Sequence, residues 1–298
     1  MQTTLTDCGL SMAVSLYDSG IRELVDNFLL EESKKIRDYG DYWSASSAGY
    51  CMRKNILERL KVPHVETEAD ARKQRVFTAG HIFHEWMQDL TKKAGLSIAQ
   101  EVELIDDDIM VKGHFDDLVL IEKELPDMPY GDDGKGKGGK FDPTIPEQHL
   151  ILYDYKTVNS QSFKYKKDKM SHYHKMQLGT YLYMIRQLPN NLEKLGGDLL
   201  PLGEQLKNLV EGRILNISKD DLRMSEMALI YNEGLEKEVL DYWTTINKHW
   251  ADKTFPACTC ADHENGFMAR EAYNPYFYKG EPCSLTYYEE WKNEQAKV

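Results

Sequence analysis

The sequence predicts an α/β fold, and three observations carry that expectation. Residues 77–94 place Phe83, Trp86, Met87, Leu90 and Ala94 at helical spacing. Two extended runs follow, Ile98 to Ile105 and Ile109 to Ile121. A third run, Leu150-Ile151-Leu152-Tyr153-Asp154-Tyr155-Lys156-Thr157-Val158, starts apolar on both faces, as a buried central strand does, and leads into a second amphipathic segment at 172–187.

Taken in order, residues 9–38 carry Leu16, Leu24, Val25, Phe28 and Leu29 at helical spacing and predict one or two helices. The Ser-rich turn 44–47 leads into a basic helix, 51–60, with Ile56, Leu57 and Leu60 facing the core. Gly95 stops the helix of residues 77–94. Asp106-Asp107-Asp108 forms the turn of a hairpin between the two extended runs. Residues 122–147 hold four of the ten prolines and five of the twenty glycines, a surface insertion between strands. The helix at 172–187 turns Leu178, Tyr181, Leu182 and Ile185 inward. Further helices are expected over 203–211 and 220–250, the latter with Leu235, Val239, Trp243, Ile246 and Trp250 on one side. The division expected is an N-terminal helical segment (1–42), a core (43–187) and a C-terminal helical region (188–298).

At 298 residues, with ordinary charged and aromatic fractions of 29% and 11%, the chain can bury a core without disulfides and is not disordered. No apolar run approaches the ~18 residues of a membrane span, and no basic segment followed by an apolar one opens the chain. A soluble cytoplasmic protein without a membrane partner is the expectation. The net charge of -12 argues against nucleic acid, but its distribution does not. Residues 148–187 hold seven Lys or Arg against two Asp, and residues 51–75 seven against four.

Several short motifs could carry chemistry. Asp154 and Lys156 lie two apart on one strand, so both side chains share a face. A carboxylate there can hold a divalent ion while the ammonium orients a water or a phosphate oxygen, although a solvated strand end with a surface ion pair gives the same pattern. Gly113-His114-Phe115-Asp116-Asp117 offers a second carboxylate, with Gly113 leaving room for a neighbouring backbone or a metal shell. Gly80-His81-Ile82-Phe83-His84 sets His84 beside the core stripe, as a packed imidazole or a metal ligand. Gln177 and Tyr181 share one helix face. Between these motifs, Lys164, Lys166, Lys167, Lys169 and Lys175 interleave with Phe163, Tyr165, His172, Tyr173 and His174, a composition suited to gripping single strands through phosphates and base stacking. Arg53 adds a basic residue on the helix at 51–60.

In their order, G-x-x-x-H, G-x-x-D, D-x-K and Q-x-x-x-Y over residues 43–187, these motifs resemble the RecB-like branch of the PD-(D/E)XK nucleases. The resemblance implies a restriction-endonuclease-like core, a mixed central sheet flanked by helices, with helices added at both ends. It also implies metal-dependent hydrolysis of DNA, as an exonuclease or end-processing enzyme. His84, Asp116, Asp154 and the carbonyl of Tyr155 would ligate Mg²⁺ or Mn²⁺, Lys156 would polarise the attacking water, and Gln177 and Tyr181 would support the site. A non-catalytic DNA-binding module of the same fold and an RNA-directed nuclease stay open, as does homo-oligomerisation.

Of five cysteines, Cys8 stands apart. Cys51, Cys258, Cys260 and Cys283 resemble the iron-sulfur subgroup of these nucleases, the CRISPR-associated and AddB-type proteins, in which a four-iron four-sulfur cluster joins the ends of the chain. The spacing C-x-C-x22-C departs from the closely spaced last three cysteines of that subgroup. A zinc site of Cys258, Cys260, His263 and Cys283, or buried unligated thiols, are the alternatives.

Overall fold

The structure, a computed structural model, describes residues 20–33, 40–65, 71–122, 148–166, 168–190, 199, 202–262 and 274–296. The insertion at 123–147, Lys167 and His263 lie outside the described residues.

The chain divides into two units, the smaller formed by residues 1–37 and 66–79. Within it lie helix α1 (Ile21–Ser33) and the first residues of α3 (Ala71–Lys93), and Arg75 pairs with Asp26.

The larger unit holds two sheets. The main sheet has the order β2 (Ser97–Gln100), β5 (Asp117–Glu122), β6 (Gln148–Val158), β7 (Glu211–Ser218), β8 (Met224–Ile230). Its β6–β7 pair is parallel and the other three pairs are antiparallel, so the sheet is mixed. A small sheet sets β4 (Val111–His114) between a parallel β1 (Trp43–Ser44) and an antiparallel β3 (Glu103–Asp106). Helices α2 (Met52–Arg59), α4 (Ser160–Lys166), α5 (His172–Gln187), α6 (Gly203–Lys207), α7 (Glu233–Ala251) and α8 (Leu285–Gln295) complete the α/β fold.

The alternation of side chains along β6 divides the core. Leu150 and Leu152 join the larger cluster with Leu178, Leu182, Val239 and Trp243, between the sheet and helices α5 and α7. Ile151, Tyr153 and Tyr155 point to the opposite face, where they pack with Met87, Leu215 and Ile217. Asp154 and Lys156 therefore project to the α5 side. At the C-terminus of α2, the guanidinium of Arg59 lies between the rings of Trp43 and Trp250, at 4.3 and 4.4 Å from their centres, which ties α2 and β1 to the end of α7.

Three expectations require correction. The two extended runs do not form one simple hairpin, because Glu101 takes a positive φ of 51° that breaks the first run into β2 and β3. The turn forms as expected, closed by Asp106 Oδ1 accepting from the amides of Asp108 and Ile109, but its arms β3 and β4 belong to the small sheet while β2 and β5 belong to the main one. Residues 224–230, inside the helix expected over 220–250, form strand β8, and residue 211, the end of the helix expected over 203–211, opens strand β7. Residues 211–218 are buried on both faces with β-branched Ile214 and Ile217, and the helix that follows starts only after Asn232, whose Oδ1 accepts from the amide of Leu235. Lastly, the apolar stripe on α3 is only part core: Met87 is buried, whereas Trp86 and Leu90 are 37% and 41% exposed.

Candidate functional site

The motif residues that the sequence separates by more than 90 positions meet at the end of β6. Lys156 Nζ donates to Asp154 Oδ1 at 2.9 Å and sits 2.7 Å from Oδ2. Gln177 Nε2, from α5, donates to the same Oδ1 at 3.1 Å. Both oxygens of Asp154 therefore face the ammonium, which pairs with the buried Oδ2 at 2.7 Å. Asp116, in the short connection between β4 and β5, accepts from the backbone amide of Tyr155 at 2.6 Å, and its Oδ2 lies 3.5 Å from His84 Nδ1 on α3. Asp116, Asp154, Lys156, Gln177 and His84 thus form one connected group, joined through the main chain of Tyr155.

The electrostatics of this group are those of two carboxylates short of positive charge. Burial, and then the charge of Asp154, push the Asp116 carboxyl up to about 8, with Lys156 opposing. Burial also raises Asp154, again against Lys156. Burial pulls Lys156 down, but Asp154 and Asp116 together outweigh it and hold the ammonium above its ordinary value. His84 is lowered to about 4 by burial, Lys156 and His81, so at neutral pH its imidazole is uncharged and free to ligate. A hard divalent cation suits this set: two carboxylates, a neutral imidazole, and more negative charge than one lysine offsets. The three side chains are gathered less tightly than a closed metal cage. Among the described residues, the four cysteines are the one group of three or more His, Cys, Asp or Glu gathered closely enough to hold a metal ion, their sulfurs all within 4.8 Å of one another.

Gly113 and Tyr181 have a different relationship from the one the motifs suggest. A Cβ on Gly113 would come within 2.9 Å of the Tyr181 hydroxyl and 2.8 Å of Ala45 Cβ, so the glycine makes room for the buried tyrosine ring and not for a metal shell. The Tyr181 ring packs against Gly113 and so seats α5 on β4. Gly113→Ala is expected to cost about 1–3 kcal/mol through overpacking. A thermal melt would read the loss, and adding Tyr181→Phe should return part of it by removing the hydroxyl from the 2.9 Å contact.

One supporting residue escaped the motif reading. Asp117 is fully buried and accepts from Thr91 Oγ1 at 2.5 Å, Ser97 Oγ at 2.6 Å and Tyr155 Oη at 2.8 Å. It fixes the Tyr155 ring on the face opposite Asp154 and so sets the main chain that Asp116 grips. The signal in the sequence was the doubled acid at 116–117, one for each face of the sheet.

The second centre lies at the start of α2. Cys51 Sγ is 3.8 Å from Cys258 Sγ, and Cys260 Sγ is 3.4 Å from Cys283 Sγ. All four thiols are free, and no pair is close enough for a disulfide. They sit among Leu57, Val62, Tyr276 and Trp291. Hydrogen bonds from the other three sulfurs hold Cys51 well below the usual thiol range. Hydrogen bonds to its neighbours raise Cys260 far above it. Asn274, which the sequence reading missed, completes the group. Its Oδ1 accepts from the amide of Tyr276 at 3.0 Å, so its Nδ2 is aimed at Cys260 and Cys283, 3.5 and 3.4 Å away. Four sulfurs with an N–H donor beside them can hold a metal ion.

No family model matches the chain. No curated protein matches it either. Among solved structures it is similar to the crystal structure of SSO0001, at 16% identity, over 83% of this chain and 98% of that one, with a TM-score of 0.42.

The residues expected to grip nucleic acid are spread over the surface. Lys164 and Lys166 are exposed on α4, directly after β6, beside Tyr165 at 82% exposure. Lys169 is exposed on the following turn. Tyr173 is half-buried and stacks on Tyr50, with ring centres 5.1 Å apart. Lys175 pairs with Glu238 of α7, which removes part of the island's charge. Arg53 lies beside the thiol centre, its Nε donating to the Pro256 carbonyl at 2.8 Å. Among the described residues, no helix is long and apolar enough to cross a membrane.

Proposed function

We propose that this chain is a metal-dependent deoxyribonuclease of the RecB-like kind, acting on DNA ends. The observation that carries the reading is the convergence of Asp116, Asp154, Lys156, Gln177 and His84 around the end of β6, with both carboxylates raised by burial. His84, Asp116, Asp154 and the Tyr155 carbonyl would hold Mg²⁺ or Mn²⁺. Bound there, the ion would supply charge neutralisation and an acidified water. Lys156, fixed by Asp154, orients the attacking water and meets a phosphate oxygen. Gln177 holds the same Asp154 carboxylate from α5 while Lys156 holds it from its own strand. Lys164, Lys166 and Tyr165 stand next to this strand end and suit a nucleic-acid backbone with splayed bases.

At the thiol centre, the resemblance points to a four-iron four-sulfur cluster. The spacing favours another occupant. A tetrahedral ion with Zn–S bonds of ~2.3 Å holds its four sulfurs ~3.8 Å apart, close to the separations of 3.4 and 3.8 Å here. A four-iron cube, several bonds wide, needs a more open cradle. We therefore read the centre as a structural Cys₄ site for a single ion such as Zn²⁺. A visible absorption band near that of iron-sulfur proteins, with stoichiometric iron after anaerobic purification, would restore the cluster.

Incubation of end-labelled single- and double-stranded DNA and RNA with Mn²⁺ tests the activity, its polarity and its substrate together. Nucleotide release that stops on addition of EDTA is expected; intact substrate with every divalent ion tried, despite binding, would leave a DNA-binding module of the same fold.

A further inference from the structure

The four sulfurs of the thiol centre are not equivalent. Cys51, Cys260 and Cys283 are 1%, 0% and 0% exposed, and the last two lie under the Asn274 amide. Cys258 alone is half-buried. It lines a cavity of about 340 Å³ together with Arg53, Ala261, Glu281, Pro282 and Leu285, and none of the other three cysteines reaches that cavity. The walls are well held: Arg53 is fixed to the Pro256 carbonyl, and Glu281 accepts from Ser284 Oγ at 3.3 Å. The centre has a closed side, gripped by Asn274, and an open side at Cys258.

We propose that Cys258 is the exchangeable ligand of this centre and that the cavity admits a small thiol, which takes its place on the metal. The proposal rests on the reading that the four thiolates hold an ion. The exchange is a ligand substitution without redox change. The bond from the metal to Cys258 Sγ breaks, a bond to the incoming sulfur forms, and the proton of the incoming thiol passes to Cys258. Cys51, Cys260 and Cys283 keep the ion in place while the fourth position turns over. Such a port would let the metal be loaded or withdrawn in the folded protein, without opening the buried side.

The test uses the full-length, metal-loaded protein, with 2-mercaptoethanol as the thiol and a coloured chelator for the ion found, pyridylazoresorcinol for zinc or bathophenanthroline for iron. Mercaptoethanol is expected to speed metal transfer to the chelator about fivefold or more, through access to Cys258, the one ligand that is not fully buried. Ala261→Trp, at an exposed position on the cavity wall, should slow that thiol-dependent transfer about fivefold with metal content and melting temperature unchanged. In the metal-free protein, iodoacetamide followed by peptide mapping should label Cys258 about tenfold faster than Cys51, Cys260 or Cys283. Transfer that ignores the thiol or the Ala261→Trp change, or first labelling at another of the four, overturns the proposal alone. A protein that takes up no metal overturns it together with the reading on which it rests.

Discussion

On the proposed function, Asp154→Asn should reduce metal-dependent DNA cleavage by about three orders of magnitude, the size expected where one carboxylate serves both a metal and an activating lysine. Three interactions change at once. The ammonium of Lys156 loses the carboxylate that holds it at 2.7–2.9 Å, the Gln177 amide loses a charged acceptor, and Asp116 is left as the sole acidic ligand. The fold should not suffer in proportion, because the substitution also removes one of two mutually repelling buried acids. The metal-free variant should therefore melt at or above the temperature of the wild type, while the rise in melting temperature on adding Mn²⁺ disappears. A variant that cleaves DNA like the wild type would remove Asp154 from the chemistry.

The same pair of acids gives the metal-free protein a pH signature. The Asp116 carboxyl moves from 3.8 to about 8 on folding. The folded state therefore binds a proton more tightly than the unfolded one, and stability falls with rising pH wherever the folded state carries the extra proton. The contribution is complete below 3.8 and is lost as pH rises through about 8. Melts of wild type and Asp116→Asn in the absence of divalent ions should diverge across that window, with the wild type losing ground at the alkaline end. Parallel curves would show that the carboxyl is ionised throughout.

Cys260→Ser is the substitution with the largest expected effect on stability. Cys260 is fully buried, touches Cys283 at 3.4 Å and receives the Asn274 amide. Loss of a structural ion is expected to cost about 5 kcal/mol or more and to lower the melting temperature by about 10 °C. The residues most affected should be those packed around the sulfurs, including Tyr276, Leu57 and Val62. Metal analysis beside the melt separates this outcome from a simple packing defect: a fall in melting temperature with the metal still stoichiometric would mean that Cys260 is not a ligand.

Much of the architecture around the site was legible because the relevant signals were local. The D-x-K strand, the helix from His172 to Gln187 and the stop at Gly95 each follow from periodicity or from one punctuating residue. What was not legible depended on partners distant in sequence. Residues 211–218 gave no alternation, since both faces of β7 are covered, by β6 on one edge and helices on the faces, and a fully buried strand has no period to detect. The role of Gly113 was misread because the group it accommodates, the Tyr181 ring, arrives from another element 68 positions later. Asn274 carried no motif. Its use is set by the Tyr276 amide that turns its side chain toward the sulfurs. Composition misled over the α3 stripe, where apolar spacing was taken for core and Trp86 and Leu90 remain partly in solvent.

The parallel pairing of β6 with β7 sets the order in which the molecule can be made. Strand β6 carries Asp154 and Lys156, yet all eight positions from Ile151 to Val158 take their neighbours from residues 211–218. Until that stretch has left the ribosome, the strand bearing the proposed site has a long, apolar, unpaired edge, the kind of surface that adds strands from other chains. A boundary drawn after residue 187 would make that exposure permanent. The sulfurs impose a still later step, since Cys51 waits for Cys258, Cys260 and Cys283. Completion of the sheet is therefore a long-range step, and the β6 edge stays open to misassembly from its own synthesis until residues 211–218 emerge.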